Sequence, residues 1–420
     1  PNQIPVFTKS CILSSDNVIL MTGDKKAQPL SIAITNKKIV WVGLHKDAKN
    51  IQGTKIDFGN QAILPGFIDA HGHASYLAFA SQVANIASPP VGKIKTIKDL
   101  QIELKEFIKV SNLQPGQWLI GLGYDNSLLA EQRHPTKEDL DQVSTEHPIY
   151  LIHVSAHLGA TNSMGLALAN INSNTPDPSG GKIRRYKNSS EPNGVFEESA
   201  AYPVQQLAMS AYKDPIGSVK KAMEIYASHG ITTAQDGASS PEAIALMQAA
   251  DDQGMVNLDI ISYPVGQNGL DKSIQTIKFG SYKGRVKVGG IKLILDGSPQ
   301  GKTAYLTEPY YKPPHSESDS YKGYPLISQK EVSKWVSIYA DLNIPIMAHA
   351  NGDAAADMLI KAVKNADMKN DHRTIMIHAQ TVREDQLDQM KKLKIIPSYF
   401  STHTFYWGDW HRDSVFGEDR

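Results

Sequence analysis

Seven apolar runs, three of them closed by histidine, constrain this chain more than any other feature of its sequence. From about residue 226 onward, apolar runs alternate with helical stretches, which is the pattern of a parallel sheet with crossover helices. The first run, 63–73, is predicted to be a buried strand that ends in His71-Gly72-His73. The seven predicted strands lie at residues 67–73, 231–236, 258–263, 290–296, 344–349, 374–378 and 395–400.

The two histidines of the first run are predicted to act together. Side chains on a strand alternate between faces, so Asp69, His71 and His73 should point the same way. Two imidazoles side by side are suited to bind one metal ion. The alternative is a pair of hydrogen-bonded core histidines, and this motif alone does not decide between the two.

Two later runs also end in histidine, at His349 and His378. In a (β/α)8 barrel, functional groups gather at the carboxyl ends of the strands. We therefore predict that the four histidines form one site. The predicted fold class is α/β, a TIM-like (β/α)8 barrel.

Lys292 lies inside another of these runs, on the same strand face as Asp296. Burying its ammonium is unfavourable unless the group is paired or its pKa falls. A neutral amine can react with carbon dioxide to give a carbamate, which is a carboxylate-like metal ligand. The alternative is an ion pair with Asp296 or another inward carboxylate.

Composition excludes several classes of protein. Among 420 residues, 43 lysines and arginines balance 43 aspartates and glutamates, so neither nucleic acid nor a membrane surface is an expected partner. The single cysteine, Cys11, excludes a disulfide framework and a cysteine-based zinc site. No apolar run approaches the ~18 residues of a membrane span. The chain starts at Pro1 without a signal peptide, so we leave its compartment open between the cytoplasm and, after removal of a leader, the periplasm or the exterior.

The chain is predicted to have three parts. Residues 1–62 form a small β-sandwich unit, with strands at 18–22, 31–35 and 38–43 and a tight turn at Asn36-Lys37. Residues 63–81 and 226–420 form the barrel. Residues 82–225 do not fit its alternation and are predicted to be an insertion after the first barrel strand, large enough to cap the barrel's mouth.

Several segments together resemble the metal-dependent amidohydrolase superfamily, in particular the amidohydrolase-3 or YtcJ-like branch that contains N-substituted formamide deformylase. Asn351 stands where that branch tends to have isoleucine. The matching segments are residues 64–73, 291–298, 349–353 and 378–380, with 155–163 and 194–198 in the insertion.

The resemblance implies roles for these residues. His71 and His73 would bind the more buried of two divalent metal ions, with zinc the expected ion. Lys292, as a carbamate and a catalytic group, would bridge to a second ion bound by His349 and His378. We also expect substrate contacts from His157, Asp296 and His403. For the two histidines, packing or surface roles are the alternative.

One departure from the family concerns the end of the chain. The family's eighth strand bears an aspartate that binds metal and serves as general base, and no such strand follows His403. We expect an incomplete barrel whose seventh strand lacks its next neighbour, and we expect either that this chain is a piece of a longer protein or that another polypeptide segment fills the gap.

The predicted function is hydrolysis of an amide or formamide-type carbon–nitrogen bond in a small molecule by a metal-bound hydroxide. One alternative is another reaction of the superfamily, such as ring deamination, lactone hydrolysis or decarboxylation. The other is a catalytically silent regulatory or binding protein, against which the presence of all four histidines and Lys292 argues. The sequence does not identify the substrate, and it leaves a homodimer open.

Overall fold

A computed structural model describes residues 10–23, 28–126, 128–154, 158–178, 181–210, 214–267, 278–314, 318–368 and 371–418. The chain divides into two compact units. The first comprises Pro1–Ile68 with Gly230–Thr232, and the second Asp69–His229 with Thr233–Arg420. None of the described helices is long and apolar enough to cross a membrane.

The first unit is built on a β-sheet of short strands. The sheet order is β3-β2-β1-β4, with β5 pairing β1 as well; β1 and β2 are antiparallel, and β4 and β5 run parallel to β1. A short strand, β6, also belongs to this unit. The strands are β1 (Cys11–Val18), β2 (Gln28–Thr35), β3 (Lys38–Leu44), β4 (Thr54–Asp57), β5 (Ala62–Ile63) and β6 (Phe67–Ile68).

The predicted turn of this unit is confirmed and one predicted strand is wrong. Asn36 and Lys37 both have left-handed backbone, at φ 51° and 62°, as a two-residue hairpin turn requires. The strand predicted at 18–22 instead ends at Val18, and Met21 has φ 57°, a conformation that a strand does not accept.

The first half of the second unit holds a six-stranded mixed sheet in the order β11-β12-β10-β9-β8-β7. Strands β7, β8 and β9 are parallel and the others antiparallel. Its strands are β7 (Ala84–Asn85), β8 (Leu119–Tyr124), β9 (Ile149–His153), β10 (Leu158–Thr161), β11 (Gly181–Arg185) and β12 (Pro192–Glu198). The helices here are α1 (Ala74–Ala80), α2 (Ile97–Val110), α3 (Lys137–Asp141), α4 (Ser163–Leu168), α5 (Tyr202–Ser210) and α6 (Pro215–Ser228).

The second half alternates strands with helices. Strands β13, β14 and β16 are parallel neighbours, as are β17, β18, β19 and β20 in that order. The strands are β13 (Ile231–Ser239), β14 (Asp259–Pro264), β15 (Tyr282–Lys283), β16 (Val286–Val288), β17 (Ile291–Ile294), β18 (Ile346–Ala350), β19 (Ile375–His378) and β20 (Ile396–Tyr399). The helices are α7 (Pro241–Asp252), α8 (Gln329–Asp341), α9 (Asp353–Asn365), α10 (Glu384–Leu393) and α11 (His403–Trp410), and a π-helical segment, His411–Phe416, follows.

These strands agree with the prediction of an α/β fold. Six of the seven predicted strands coincide with β13, β14, β17, β18, β19 and β20 to within a few residues. A single parallel bridge, Val265 to Lys292, links the two sheets, and within the described residues no further pairing closes them. Strand β20 pairs with β19 alone in the described part of the chain, as expected for an unpaired seventh strand.

The first predicted strand is shorter and more exposed than expected. Only Phe67 and Ile68 are in strand conformation, and their side chains are 54% and 71% exposed. Beyond it, Asp69 turns its carboxylate back over Gly72 and accepts the Gln235 backbone N–H at 3.3 Å. The alternation argument for residues 69–73 is therefore wrong.

The backbone of Tyr305 leaves no room for a side chain at Gly352, which precedes α9. A methyl group there would lie 1.8 Å from the Tyr305 carbonyl oxygen, whereas one at Gly408 would meet nothing within 4 Å. We expect Gly352→Ala to lower the free energy of unfolding by about 1–3 kcal/mol. Gly408→Ala, in a helix, should raise it by up to about 1 kcal/mol. Urea denaturation of both variants measures this, and equal effects would contradict the packing described.

Candidate metal centre

Four imidazole rings lie against one another near the carboxyl ends of β18 and β19. Ring centroids are 5.0 Å apart for His71 and His73, 5.5 Å for His71 and His378, and 4.7 Å for His349 and His378. Each pair meets edge to face. The structure thus brings the four histidines together, and their role as ligands stays a prediction.

The tautomer of His71 follows from its neighbours. The Gln235 side chain donates from Nε2 to the Ala70 carbonyl at 3.2 Å, which leaves its Oε1 as the acceptor 2.8 Å from His71 Nδ1. His71 therefore carries its proton on Nδ1. Its Nε2 is buried and has no hydrogen-bond partner among the described residues. An imidazole held in this way by an outer acceptor is the usual arrangement of a metal ligand.

The neighbours of His349 favour a proton on its other ring nitrogen, Nε2. Its Nε2 lies 3.0 Å from the Gly297 carbonyl and 3.5 Å from Asp296 Oδ1. The Asn351 Nδ2 group is 3.0 Å from the same nitrogen and donates to Gly297 at 2.7 Å. The two acceptors favour the tautomer protonated on Nε2, in which Nδ1 keeps the lone pair.

His378 reaches the group through a strained backbone. In the register of β18 and β19, Ala350 lies opposite His378 and His349 opposite Ile377. Strand alternation alone would therefore point His378 and His349 to opposite faces. His378 and Ala379 instead adopt φ 73° and 47°, left-handed values that are unfavourable for such residues. This departure at the strand end brings the His378 ring to 4.7 Å from that of His349.

Lys292 lies among the four rings on β17. It is 2% exposed, and its amine lowers the pKa of all four imidazoles. Among the described residues it has no ion pair and no side-chain hydrogen bond, so the predicted alternative of an ion pair with Asp296 is wrong. Burial lowers the pKa of the Lys292 amine to about 7.

The histidines are held neutral by the same environment. Burial, followed by the Lys292 amine, lowers the pKa of His71 to about 4 and that of His349 to about 3. Burial, then His349 and Lys292, holds the pKa of His378 lower still. His73 is the most exposed of the four, and its pKa moves in the same direction. Neutral imidazole is the form that binds a metal ion.

Asp236 stands beside His73 and was not predicted to belong to the site. The two residues form an isolated antiparallel bridge, and Asp236 is fully buried. One carboxylate oxygen accepts the Ser75 N–H at 3.2 Å and its hydroxyl at 2.8 Å, and the other accepts the Ser239 hydroxyl at 2.6 Å. Its position in predicted strand 231–236, at the end that faces the site, was the signal available in the sequence.

Asp296 acts as a connector between chain segments. It is fully buried, and its oxygens accept the backbone N–H groups of Asn351 at 3.0 Å, Gly352 at 2.8 Å and Tyr305 at 3.0 Å. Burial raises the pKa of this carboxyl to about 7 although the three donors oppose the shift. This geometry does not support the predicted substrate contact of Asp296, because no part of the side chain is exposed.

Of the other two predicted substrate contacts, His157 and His403, the structure describes only His403. His157 lies outside the described residues. His403, at the start of α11, is 5% exposed and stacks on His411 with a centroid distance of 4.8 Å. Its Nδ1 has no partner among the described residues, and it lies near enough to lower the pKa of His378.

The spacing of the rings fits a shared metal ion, although their orientations do not yet converge. Within the described ranges, no three histidine, cysteine, aspartate or glutamate side chains stand ready to hold an ion. Two imidazoles that bind one zinc ion at 2.0–2.1 Å and a tetrahedral angle have ring centroids roughly 5 Å apart. The observed 4.7–5.5 Å agrees with that spacing, and the unpartnered Nε2 of His71 fits the same assignment.

Comparison with known proteins defines the class of this chain. The model of the amidohydrolase family matches residues 54–420, and the chain belongs to that family. This confirms the resemblance found in the sequence.

Individual relatives are distant. The chain is 25% identical over 393 residues to N-substituted formamide deformylase of Arthrobacter pascens, covering 90% of this chain and 70% of that protein. It is 23% identical to the exoenzymes regulatory protein AepA of Pectobacterium carotovorum subsp. carotovorum, covering 90% and 81%. An uncharacterized metal-dependent hydrolase from Pyrococcus furiosus shares its fold, with a TM-score of 0.73, 24% identity, and coverage of 98% of this chain and 81% of that one.

The buried amine should destabilise the metal-free protein. Because the pKa of Lys292 falls from 10.5 to about 7 on folding, the unfolded chain binds this proton more tightly. Stability is therefore lost as the pH falls from 10.5 through 7. We expect Lys292→Met to raise the free energy of unfolding at pH 7 by on the order of a few kcal/mol, and the gain to shrink toward pH 10.

Urea denaturation of chelator-treated protein at several pH values measures this difference. Lys283→Met, on an exposed position of β15, is the matched control and should change little. A Lys292→Met protein that is less stable than wild type at pH 7 would show that the amine has a stabilising counterion.

Proposed function

We propose that this chain is a metal-dependent hydrolase that cleaves the carbon–nitrogen bond of a small amide, of the formamide type. The observation that carries the proposal is the group of four neutral imidazoles around one buried amine. Such a group has no advantage as packing, because each buried polar atom without a partner destabilises the fold.

The proposal includes the architecture around this group. Strands β6, β13, β14 and β17 to β20 would be seven strands of a TIM-like (β/α)8 barrel, formed by residues 63–81 and 226–420. Residues 1–62 would be the small β-sandwich unit, and 82–225 the inserted subdomain that caps the substrate. The parallel pairing of these strands and the bridge from Val265 to Lys292 support it.

His71, His73, His349 and His378 would hold one or two divalent ions, with zinc the ion we propose. A bound zinc ion supplies a water pKa of about 7 and polarises a carbonyl oxygen. The chain's own groups prepare the site for it. Gln235 and Gly297 favour one ring tautomer each in His71 and His349, which leaves the second ring nitrogen of each with its lone pair.

We further propose that Lys292 is carboxylated. Its neutral amine nitrogen adds to the carbon of carbon dioxide, one proton is released, and the product is a carbamate anion. This conversion replaces a buried cation by an anion that can bind metal. Burial of the amine and the absence of a counterion among the described residues support the proposal.

A formamide-type substrate is proposed from the Arthrobacter relative, whose name describes removal of a formyl group from substituted formamides. The alternatives are other reactions of the family, and a silent regulatory role of the kind that the name of the Pectobacterium relative describes. Metal content and turnover distinguish these possibilities.

Loss of one ring should remove both metal and activity. We expect His378→Asn to lower the bound zinc measured by plasma mass spectrometry, and to slow formate release from N-benzylformamide by a factor of about 100 or more. His229→Asn, at the exposed C-cap of α6, is the matched control and should keep both. A His378→Asn protein with full zinc content would refute the assignment, and zinc-loaded wild type without turnover would favour the silent alternative.

The carbamate can be observed directly. Zinc-loaded protein equilibrated with ¹³C-bicarbonate should show one carbamate carbon signal by NMR, which Lys292→Met should lose and Lys283→Met should keep. Activity lost in Lys292→Ala should partly return with added propionate, because a free carboxylate can occupy the vacated position. Failure of both observations would leave an unmodified lysine and a single ion.

A further inference from the structure

The segment that carries His71 runs beside β13 without a regular ladder of backbone hydrogen bonds. Its two ends are bonded to that strand, by the Asp69 N–H to the Thr233 carbonyl at 2.9 Å and by the Gly237 N–H to the Gly72 carbonyl at 2.8 Å. From Thr233 to Gly237 the strand advances four residues, whereas the segment advances three from Asp69 to Gly72. Backbone pairing cannot stay in register across this mismatch, so side chains have to hold the middle of the segment.

Gln235 holds this middle part with hydrogen bonds to three successive residues. Its backbone N–H donates to the Asp69 carboxylate at 3.3 Å, and its side-chain Nε2 donates to the Ala70 carbonyl at 3.2 Å. Its Oε1 accepts the proton of His71 Nδ1 at 2.8 Å. Gln235 is only 8% exposed, so water has little access to compete for these bonds. One residue therefore fixes both the backbone next to His71 and the orientation of its ring.

The backbone of β13 confines the same ring at a second point. A methyl group at Gly237 would lie 2.5 Å from His71 Cε1 and 2.9 Å from its Nδ1. His71 can keep its position only because residue 237 has no side chain. The amide oxygen of Gln235 thus meets a ring whose position is already restricted.

We propose that Gln235 is a positioning residue of the metal centre, and that its side-chain oxygen orients His71 for metal binding. The proposal rests on the metal-dependent function proposed above and adds a residue outside the set of ligands. A histidine that is already oriented needs less ordering when it binds an ion. Loss of such an outer acceptor typically weakens metal affinity by about 10–100-fold.

Two substitutions separate the oxygen from the rest of the side chain. Gln235→Met keeps the length of the side chain without its oxygen, and should weaken zinc binding about tenfold or more, because His71 can then change its orientation and tautomer. Gln235→Glu keeps an acceptor oxygen, and should restore zinc affinity to within about threefold of wild type. Competition with a chromophoric chelator measures these affinities.

Gln386→Met is the matched control. Gln386 is also buried, and its Nε2 donates to the Asp353 carbonyl and to Asp357 Oδ1, both at 2.7 Å. In urea denaturation, Gln386→Met should lose stability much as Gln235→Met does, but it should keep the zinc affinity of wild type. If Gln235→Met lost stability and bound zinc as tightly as this control, Gln235 would have a structural role only.

The tautomer of His71 tests the same role without any metal. In ¹⁵N NMR spectra of metal-free wild type, the His71 ring, assigned by its loss in His71→Asn, should carry its proton on Nδ1 alone. Gln235→Met should show exchange between the two tautomers, and Gln235→Glu should show the wild-type form. Normal zinc binding with an unchanged His71 signal in Gln235→Met would refute the positioning role alone. Wild type that shows the expected tautomer and binds no zinc would refute the metal centre itself.

Discussion

An amine that is 2% exposed, with no counterion among the described residues, is unfavourable in its charged form. Its charge would act on four imidazoles at once, so Lys292 and the histidines constrain one another electrostatically. Without metal, the imidazoles are neutral, and the Lys292 amine, with a pKa of about 7, is mainly neutral above that pH. A group of lone pairs in a low-dielectric setting attracts a divalent cation strongly, and more strongly as the pH rises through 7 and the amine loses its proton.

Neighbouring acceptors fix where two of these rings carry their protons. The Gln235 amide oxygen accepts the N–H group of His71, and the Gly297 carbonyl accepts that of His349. Two buried carboxylates complete the support. Asp236 is bound by two serine side chains, and Asp296 by three backbone N–H groups from different segments. Asp296 thereby ties Tyr305 to the ends of the paired strands β17 and β18, and Asp236 ties the end of β13 to the start of α1.

The sequence predicted most of the strands and the grouping of the four histidines at one place, because apolar periodicity and strand-end position are local signals. It did not predict the backbone conformation around His71 and His73 or that at His378. Residues 69–73 leave strand conformation where Asp69 folds over Gly72, a contact that depends on Gln235 from a distant segment. His378 faces the site only through a left-handed backbone, which nothing in its local sequence requires.

Side-chain partners across long separations were the other part that the sequence could not provide. Asp296 shares a strand face with Lys292 in any extended run, so an ion pair between them was a reasonable alternative. Its oxygens instead accept N–H groups of residues 305, 351 and 352, and these contacts exist only once three loops have met.

The distance between parallel strands has a consequence for a site of this kind. Neighbouring strands lie about 4.7–4.9 Å apart, which is close to the separation of two ring centres around one ion. Lys292 and His349 come from the adjacent strands β17 and β18, so the backbone hydrogen bonds of the sheet hold this pair independently of the loops. His378 differs, because its ring reaches the group through the left-handed backbone at the end of β19. A change in the loop after β19 can therefore move His378 while Lys292 and His349 keep their places.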